Sequence, residues 1–196
     1  ECRDSTAASL RELATVWHKE AQKTKDKDVY SLAQYLYKEY INKFPKEKDI
    51  YLMTFYYAEL LFTLGANGET EKFCESAPIY TQVVKLDPDP KAKYLKEAAY
   101  AAVISWKNCL AIDDSGGDTA EKQRQKREEL KKQKTAAKPK KDEEAPKTVE
   151  LAEKPIEEKK KKMLEAFETY IKYVPAAPEL VKIKWNKAYI YYEYNH

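Results

Sequence analysis

Apolar residues recur along the chain at helical spacing, in segments separated by short polar turns. The first segment starts at Leu10 and ends at the charged turn KTKDKD, and the second runs from Tyr30 to Phe44 and stops at Pro45. Proline lacks a backbone N–H and restricts the residue before it, which makes Pro45 a helix terminator. The pattern therefore predicts two consecutive helices joined by a polar turn.

Three further segments continue the helical pattern. DIYLMTFYYAELLFTLG predicts a helix that is apolar nearly all round, with Gly65 in the left-handed position that follows a helix. The next helix ends near Leu86 and contains Pro78, and we expect it to begin late, near Ser76, because serine caps helices and proline is tolerated in a first turn. KYLKEAAYAAVISWKNCLAI predicts a fifth helix.

A fixed cadence occurs in three of the predicted helices. One residue is followed by apolar residues four and seven positions later and by a proline twelve positions later. The three copies are Ala33, Tyr37, Tyr40 and Pro45, then Ser76, Tyr80, Val83 and Pro88, then Met163, Phe167, Tyr170 and Pro175. Positions four and seven apart share a helix face, so each copy predicts a buried face and a turn into the next helix. Because Met163 replaces a small residue, we expect looser or shifted packing in the third copy.

Repeated helix pairs predict the architecture. We expect an all-α, right-handed solenoid of about three helix pairs plus a terminal helix. Residues 1–112 would hold two pairs and the first helix of the third, and residues 162–196 the second helix of the third pair and the first helix of a fourth pair or a cap. The apolar pattern continues into KAYIYYEYNH, so we also expect a longer parent protein.

A charged insertion, residues 113–161, interrupts the third pair. It is nearly all polar and contains no aromatic residue, which predicts a solvated helix or helix extension followed by a flexible linker. KKQKTAAKPKK is locally basic, but the acidic residues around it favour a spacer over a nucleic-acid or lipid tether. The alternative is a regulatory segment that folds back or docks on a partner.

The helix pairs resemble the tetratricopeptide repeat, a helix–turn–helix unit. Trp17 and Ala21 match the family's first-helix tryptophan and small residue in the first pair. In the second pair Ala58 matches the small residue and Gly65 the turn glycine, whereas Thr54 replaces the tryptophan. The resemblance covers the chain outside the insertion and implies a non-catalytic scaffold whose first helices line a concave groove for a protein or peptide partner.

A narrower resemblance concerns WHKEAQKTKDKDVYSLAQYLYKEYINKFP, FYYAELLFTLG and EAAYAAVISWKN. These stretches look like repeat proteins of deltaproteobacteria, especially the envelope-associated proteins of myxobacterial gliding motility. This likeness implies a periplasmic or outer-membrane-associated scaffold within a larger complex, with a cytoplasmic location as the alternative.

Charge and cysteine content narrow the choice of partners. The chain has 196 residues with 36 basic and 33 acidic side chains, and a net charge of +3 gives no strong field for nucleic acid. No segment approaches the roughly 20 apolar residues that span a bilayer. Three cysteines without a CxxC pair predict no metal site. Cys74 and Cys109 fall on neighbouring predicted helices and could meet, although we favour two separately buried thiols.

Catalytic motifs are absent from the sequence. It contains no GxSxG, no phosphate-binding Gly-rich loop and no HExxH, and His18 is the only interior histidine. The acidic pairs Asp113–Asp114 and Glu128–Glu129 lie in solvated charge runs. We therefore expect no catalysis and no cofactor.

The candidate partner-binding residues come from the first helices of the first two pairs. Most of the 16 tyrosines should form the core between helices. The predicted groove positions are Thr15, His18, Gln22, Phe55, Glu59 and Phe62. Such a groove suits peptide or helix recognition, unless a further helix pair covers the surplus apolar surface. The alternative function is an architectural subunit that self-associates through its open helical ends, with Tyr189, Tyr191, Tyr192 and Tyr194 as the contact surface of the C-terminal helix.

Overall fold

Seven helices and no strand make up the part of the chain that the computed structural model describes, residues 2–112 and 152–196. The helices are α1 (Cys2–Thr24), α2 (Lys27–Lys43), α3 (Ile50–Ala66), α4 (Glu71–Leu86), α5 (Leu95–Cys109), α6 (Glu158–Tyr173) and α7 (Leu180–Glu193). The predicted all-α fold is confirmed.

Each helix packs against the next helix in chain order, from α1 on α2 through α6 on α7. This holds for α5 and α6 as well, although residues 110–157 separate them in the sequence. Of the expected insertion, residues 113–151 lie outside the described part of the chain, and residues 158–161 form the first turn of α6. Residues 152–154 run beside the end of α7, where the Lys154 N–H donates to the Tyr194 carbonyl oxygen at 2.9 Å.

Helices α2, α4 and α6 each contain one copy of the cadence, at the same distance from the end of the helix. They end at Lys43, Leu86 and Tyr173, in each case two residues before the cadence proline. The other cadence residues are all buried: Ala33, Tyr37, Tyr40, Ser76, Tyr80, Val83, Met163, Phe167 and Tyr170. Met163 is fully buried in the core, like Ala33 and Ser76 at the same position of the other two copies, and the looser or shifted packing expected there stays a prediction.

Helix α3 lies between two hydrophobic clusters. Met53, Tyr57 and Leu61 face a cluster built with α1 and α2, whereas Phe55 and Ala58 belong to a cluster that continues through α4 to α7. A helix buried on two sides needs apolar residues on most of its circumference. The nearly continuous apolar pattern of α3 is therefore explained largely by packing within the chain.

Gly65 does not terminate α3 as predicted, because α3 continues to Ala66. The left-handed glycine is Gly68, with φ +113°. A Cβ atom at Gly65 would lie 3.0 Å from the ring of Phe73 on α4. Gly65 thus allows an aromatic side chain to approach the α3 backbone.

The predicted late start of α4 is also wrong, since the helix begins at Glu71 and carries Pro78 in its interior. Pro78 removes the N–H that would donate to the Cys74 carbonyl oxygen. Ser76 is fully buried and its hydroxyl donates to the Ser105 hydroxyl of α5 at 2.9 Å. The small polar side chain therefore serves the contact between α4 and α5 rather than a cap.

Cys74 and Cys109 form a disulfide that joins α4 to the last residue of α5. The interpretation as two separate thiols is wrong, because the packing of α4 on α5 brings the two Cα atoms to 4.8 Å. That separation lies within the range that a disulfide spans. The cross-link joins two cysteines that are 35 residues apart in sequence and lie on consecutive helices.

Candidate functional site

A cleft of about 470 Å³ lies between α1 and α3, with Tyr37 of α2 among its lining residues. We call it the α1–α3 cleft. Its α1 wall follows one helix face, and the residues on that face are Arg11, Thr15, His18 and Gln22, with Lys19 beside them. Its α3 wall consists of Leu52, Met53, Phe55, Tyr56 and Glu59. The cleft thus sets a mainly polar wall against a mainly apolar one.

Five of the predicted groove residues line this cleft: Thr15, His18, Gln22, Phe55 and Glu59. Phe62 does not. Its ring packs edge-on against Phe73 at a centroid distance of 5.2 Å and against Tyr80 at 6.3 Å. Phe62 is seven residues after Phe55, but the cleft ends before that turn of the helix because α4 covers it.

Phe55 lines the cleft as a core residue, with 4% of its surface exposed. Its ring stacks on Tyr94 at a centroid distance of 4.1 Å and meets Tyr80 edge-on at 6.2 Å. The apolar side chains with accessible surface in the cleft are the half-buried Leu52 and Tyr56. These two residues are missing from the predicted set, although Leu52, Tyr56 and Glu59 have the spacing of a single helix face.

Glu59 connects the cleft to the core. Its carboxylate accepts a hydrogen bond from the Tyr80 hydroxyl. Burial raises the pKa of Glu59, and the hydrogen bond from Tyr80 acts in the opposite direction. Burial also raises the pKa of Tyr80, and the negative charge of Glu59 raises it further. The carboxylate is therefore held in one position on the cleft wall.

His18 is buried against α2, and its ring meets that of Tyr37 edge-on at 5.6 Å. Nδ1 lies 3.0 Å from the Tyr37 hydroxyl oxygen, and Nε2 lies 3.4 Å from the amide nitrogen of Gln22. Burial lowers the pKa of His18 to about 4. At neutral pH the cleft therefore contains an uncharged imidazole with both ring nitrogens engaged.

The charged side chains of the cleft differ in their surroundings. Arg11 forms an ion pair with Asp49, the residue before α3, so its guanidinium links α1 to α3. Lys19 is exposed at the rim. Among residues 2–112 and 152–196, no group of histidine, cysteine, aspartate and glutamate side chains is arranged to hold a metal ion. The geometry suits recognition through apolar contact and hydrogen bonds.

A second cleft, of about 520 Å³, lies between α5 and α7. Its walls include Tyr100, Lys107 and Ile183. Asn186 is buried there, and its Oδ1 has no hydrogen-bond partner within the described ranges. Both clefts are lined chiefly by odd-numbered helices, whereas a third cleft, of about 510 Å³, lies between α4 and α6.

The predicted contact surface of α7 is only partly exposed. Tyr194 is buried in the core cluster and Tyr191 packs against it. Tyr192 is 78% exposed. Trp185 and Val181, which the prediction did not include, are 62% and 80% exposed. The exposed face therefore extends about two turns further toward the start of α7 than the tyrosine pattern suggested.

No protein-family model matches the chain, and no curated protein or solved structure shows significant similarity to it. The resemblance to the tetratricopeptide repeat accordingly stays a prediction. None of the helices in the described residues is both long enough and apolar enough to cross a membrane.

Proposed function

We propose that this chain is a non-catalytic scaffold of the tetratricopeptide type that binds a protein or peptide partner in the α1–α3 cleft. The observation that carries the proposal is the pairing of polar α1 side chains with the half-buried Leu52 and Tyr56 across one cleft. Apolar anchors beside adaptable hydrogen-bonding groups are typical of peptide recognition. The volume of the cleft, about 470 Å³, falls within the usual size range of ligand-binding sites.

The fixed positions of the cleft walls support this function. Phe55 stacks on Tyr94, Glu59 accepts from Tyr80, and His18 contacts Tyr37. Side chains that are already ordered lose little conformational entropy when a ligand binds. The cleft therefore resembles a preformed site, in which Thr15, Gln22 and Lys19 supply the adaptable contacts.

The disulfide supports an extracytoplasmic site of action. Disulfides persist in oxidising compartments and are rare where thiols are kept reduced. The Cys74–Cys109 bond thus favours the periplasmic or outer-membrane-associated location that the sequence resemblance implies. Within that compartment we propose a role in a larger envelope or motility complex.

Site-specific photo-cross-linking in native cells tests the proposal. A photo-reactive residue at Gln22 lies in the cleft, and the same residue at Lys38, exposed on α2, is the control. We expect a protein adduct from position 22 that position 38 does not give. Leu52→Arg should remove the adduct, whereas Leu32→Arg, at an exposed apolar position of α2, should leave it unchanged.

Two results would count against the cleft. Identical adducts from positions 22 and 38 would mean that contact is not specific to the α1–α3 cleft. An adduct that survives Leu52→Arg, in a variant with unchanged thermal unfolding, would show that the apolar wall takes no part in binding. The exposed face of α7 is the observation that favours the alternative function, that of an architectural subunit.

A further inference from the structure

Helix α7 exposes a continuous apolar stripe on the side away from the core. The stripe consists of Val181, Trp185, Ala188, Tyr189 and Tyr192, and we call it the α7 stripe. These positions recur at spacings of three and four residues and therefore form one helix face. Trp185 and Tyr192 are 62% and 78% exposed. Large aromatic residues exposed together on one face mark an interaction surface.

The charged residues beside the stripe determine which partner fits. Lys182 and Glu193 are eleven residues apart, which is about three helical turns, so they flank the stripe on the same side. Both are exposed, and they carry opposite charges at opposite ends of α7. Glu193 also pairs with Lys160 of α6 at 2.9 Å, so a second copy would share or replace that ion pair. Their midpoint lies beside Ala188, the smallest side chain of the stripe. This arrangement is complementary to itself when the helix direction is reversed.

We propose that the α7 stripe binds the α7 stripe of a second copy of this chain, with the two helices antiparallel and the twofold axis at Ala188. The small alanine allows the helix backbones to approach. On either side of it, Trp185 of each copy packs between Ala188 and Tyr192 of the other. Because the twofold axis is perpendicular to both helices, the side of α7 that carries Lys182 and Glu193 lies next to the same side of the other copy. Lys182 of each copy therefore lies beside Glu193 of the other. A twofold interface of this kind is closed and stops at a dimer.

The size of the stripe predicts the strength of the dimer. Full burial of an aromatic side chain removes roughly 150–250 Å² from solvent. Trp185 and Tyr192 still expose 62% and 78% of their surface, and each occurs twice in the dimer. With the flanking residues the buried area comes to about 1,000 Å², the lower end for specific interfaces. The dimer is therefore weak and forms at micromolar to submillimolar concentrations of the chain.

Sedimentation analysis of the 196-residue chain tests the stoichiometry. From about 1 µM to about 1 mM, the mass should rise from one chain to two and then stop. Trp185→Ala should weaken association by about tenfold or more, as expected for a central aromatic anchor. Tyr35→Ala, an equally exposed aromatic position on α2, should have no effect. A monomer throughout the range would overturn the proposal, and growth beyond two chains would indicate head-to-tail assembly instead.

Cysteine cross-linking tests the position of the twofold axis. In a Cys2→Ser background, oxidation of Ala188→Cys should give a covalent dimer, because a residue at the axis faces its own copy. Val181→Cys lies seven residues from the axis, so its two copies stand roughly 20 Å apart along the helices and should not cross-link. Equal cross-linking at both positions, or none at position 188, would reject the antiparallel register.

Charge exchange tests the flanks independently. Lys182→Glu should weaken the dimer, and the double variant Lys182→Glu/Glu193→Lys should restore it, because each copy then presents the exchanged pair. Glu193 also pairs with Lys160 at 2.9 Å, so thermal unfolding of each variant must be compared. Failure of the double variant to recover association, with unfolding unchanged, would contradict the proposed pairing.

Discussion

The ring of Phe55 stacks on the ring of Tyr94, with centroids 4.1 Å apart and planes inclined by 14°. The Tyr94 N–H also donates to the Tyr51 hydroxyl at 2.9 Å, so two residues of α3 fix the residue that precedes α5. Phe55 therefore belongs to the contact between successive helix pairs. Its position in the α1–α3 cleft is a consequence of that packing.

Phe55→Ala should lower the free energy of unfolding by about 3–5 kcal/mol, because a buried aromatic ring is replaced by a cavity. Leu52→Ala, on the same helix but half-buried, should lower it by less. Urea unfolding followed by far-UV circular dichroism measures both. Equal effects of the two substitutions would mean that the stacking on Tyr94 contributes little.

The helices and their cadence could be predicted because both depend on local sequence. A 3.6-residue period and a proline two residues past each helix fix the ends of α2, α4 and α6 whatever the helices pack against. Phe55 and Phe62 share a face by the same rule. Whether that face meets solvent or another helix depends on the neighbours, and α4 covers Phe62 through Phe73.

The disulfide and the role of Gly65 could not be predicted for a related reason. Both follow from how closely α4 packs against α5 and α3, which a single sequence does not specify. A glycine near the end of an apolar segment can terminate a helix, or it can lie inside the helix and leave space for a neighbouring aromatic ring. The sequence around Gly65 is the same in both cases. The mainly polar α1 wall was predictable in part, because Thr15, His18 and Gln22 share one helix face by their spacing.

Removal of the Cys74–Cys109 bond should destabilise the chain by about 4 kcal/mol, the loop-closure estimate for a separation of 35 residues. We expect a lower urea midpoint for Cys74→Ser/Cys109→Ser and for the wild-type chain in reductant. Cys2→Ser is the matched control and should unfold like the oxidised wild type. If reductant shifts the midpoint of the double variant too, the loss has another cause.

Gly65→Ala should destabilise the chain by about 1–3 kcal/mol, although alanine is the better helix former. The added Cβ meets the Phe73 ring at 3.0 Å, and the ring is held by its contact with Phe62. Combining Gly65→Ala with Phe73→Leu should give less than the sum of the two single effects, since the smaller side chain removes the clash. Additive effects in this double-mutant cycle would disprove the steric explanation.

Acid should destabilise the fold through His18. Its pKa is about 4 in the folded chain and near 6.5 when unfolded, so the unfolded state binds the proton first as the pH falls. The effect is absent above about pH 6.5, grows by up to about 1.4 kcal/mol per pH unit below that value, and levels off below about pH 4. Glu59 acts in the opposite sense, because its raised pKa lets the folded state take up a proton first.

The difference between wild type and His18→Asn isolates the histidine contribution. Asparagine places an amide near Nδ1 and does not titrate, so the variant should lose less stability than wild type between pH 6.5 and pH 4. Parallel stability curves for wild type and His18→Asn across this range would mean that His18 has the same pKa in the folded and the unfolded chain. The cleft would then contain a cation below about pH 6.5, instead of a neutral imidazole down to about pH 4.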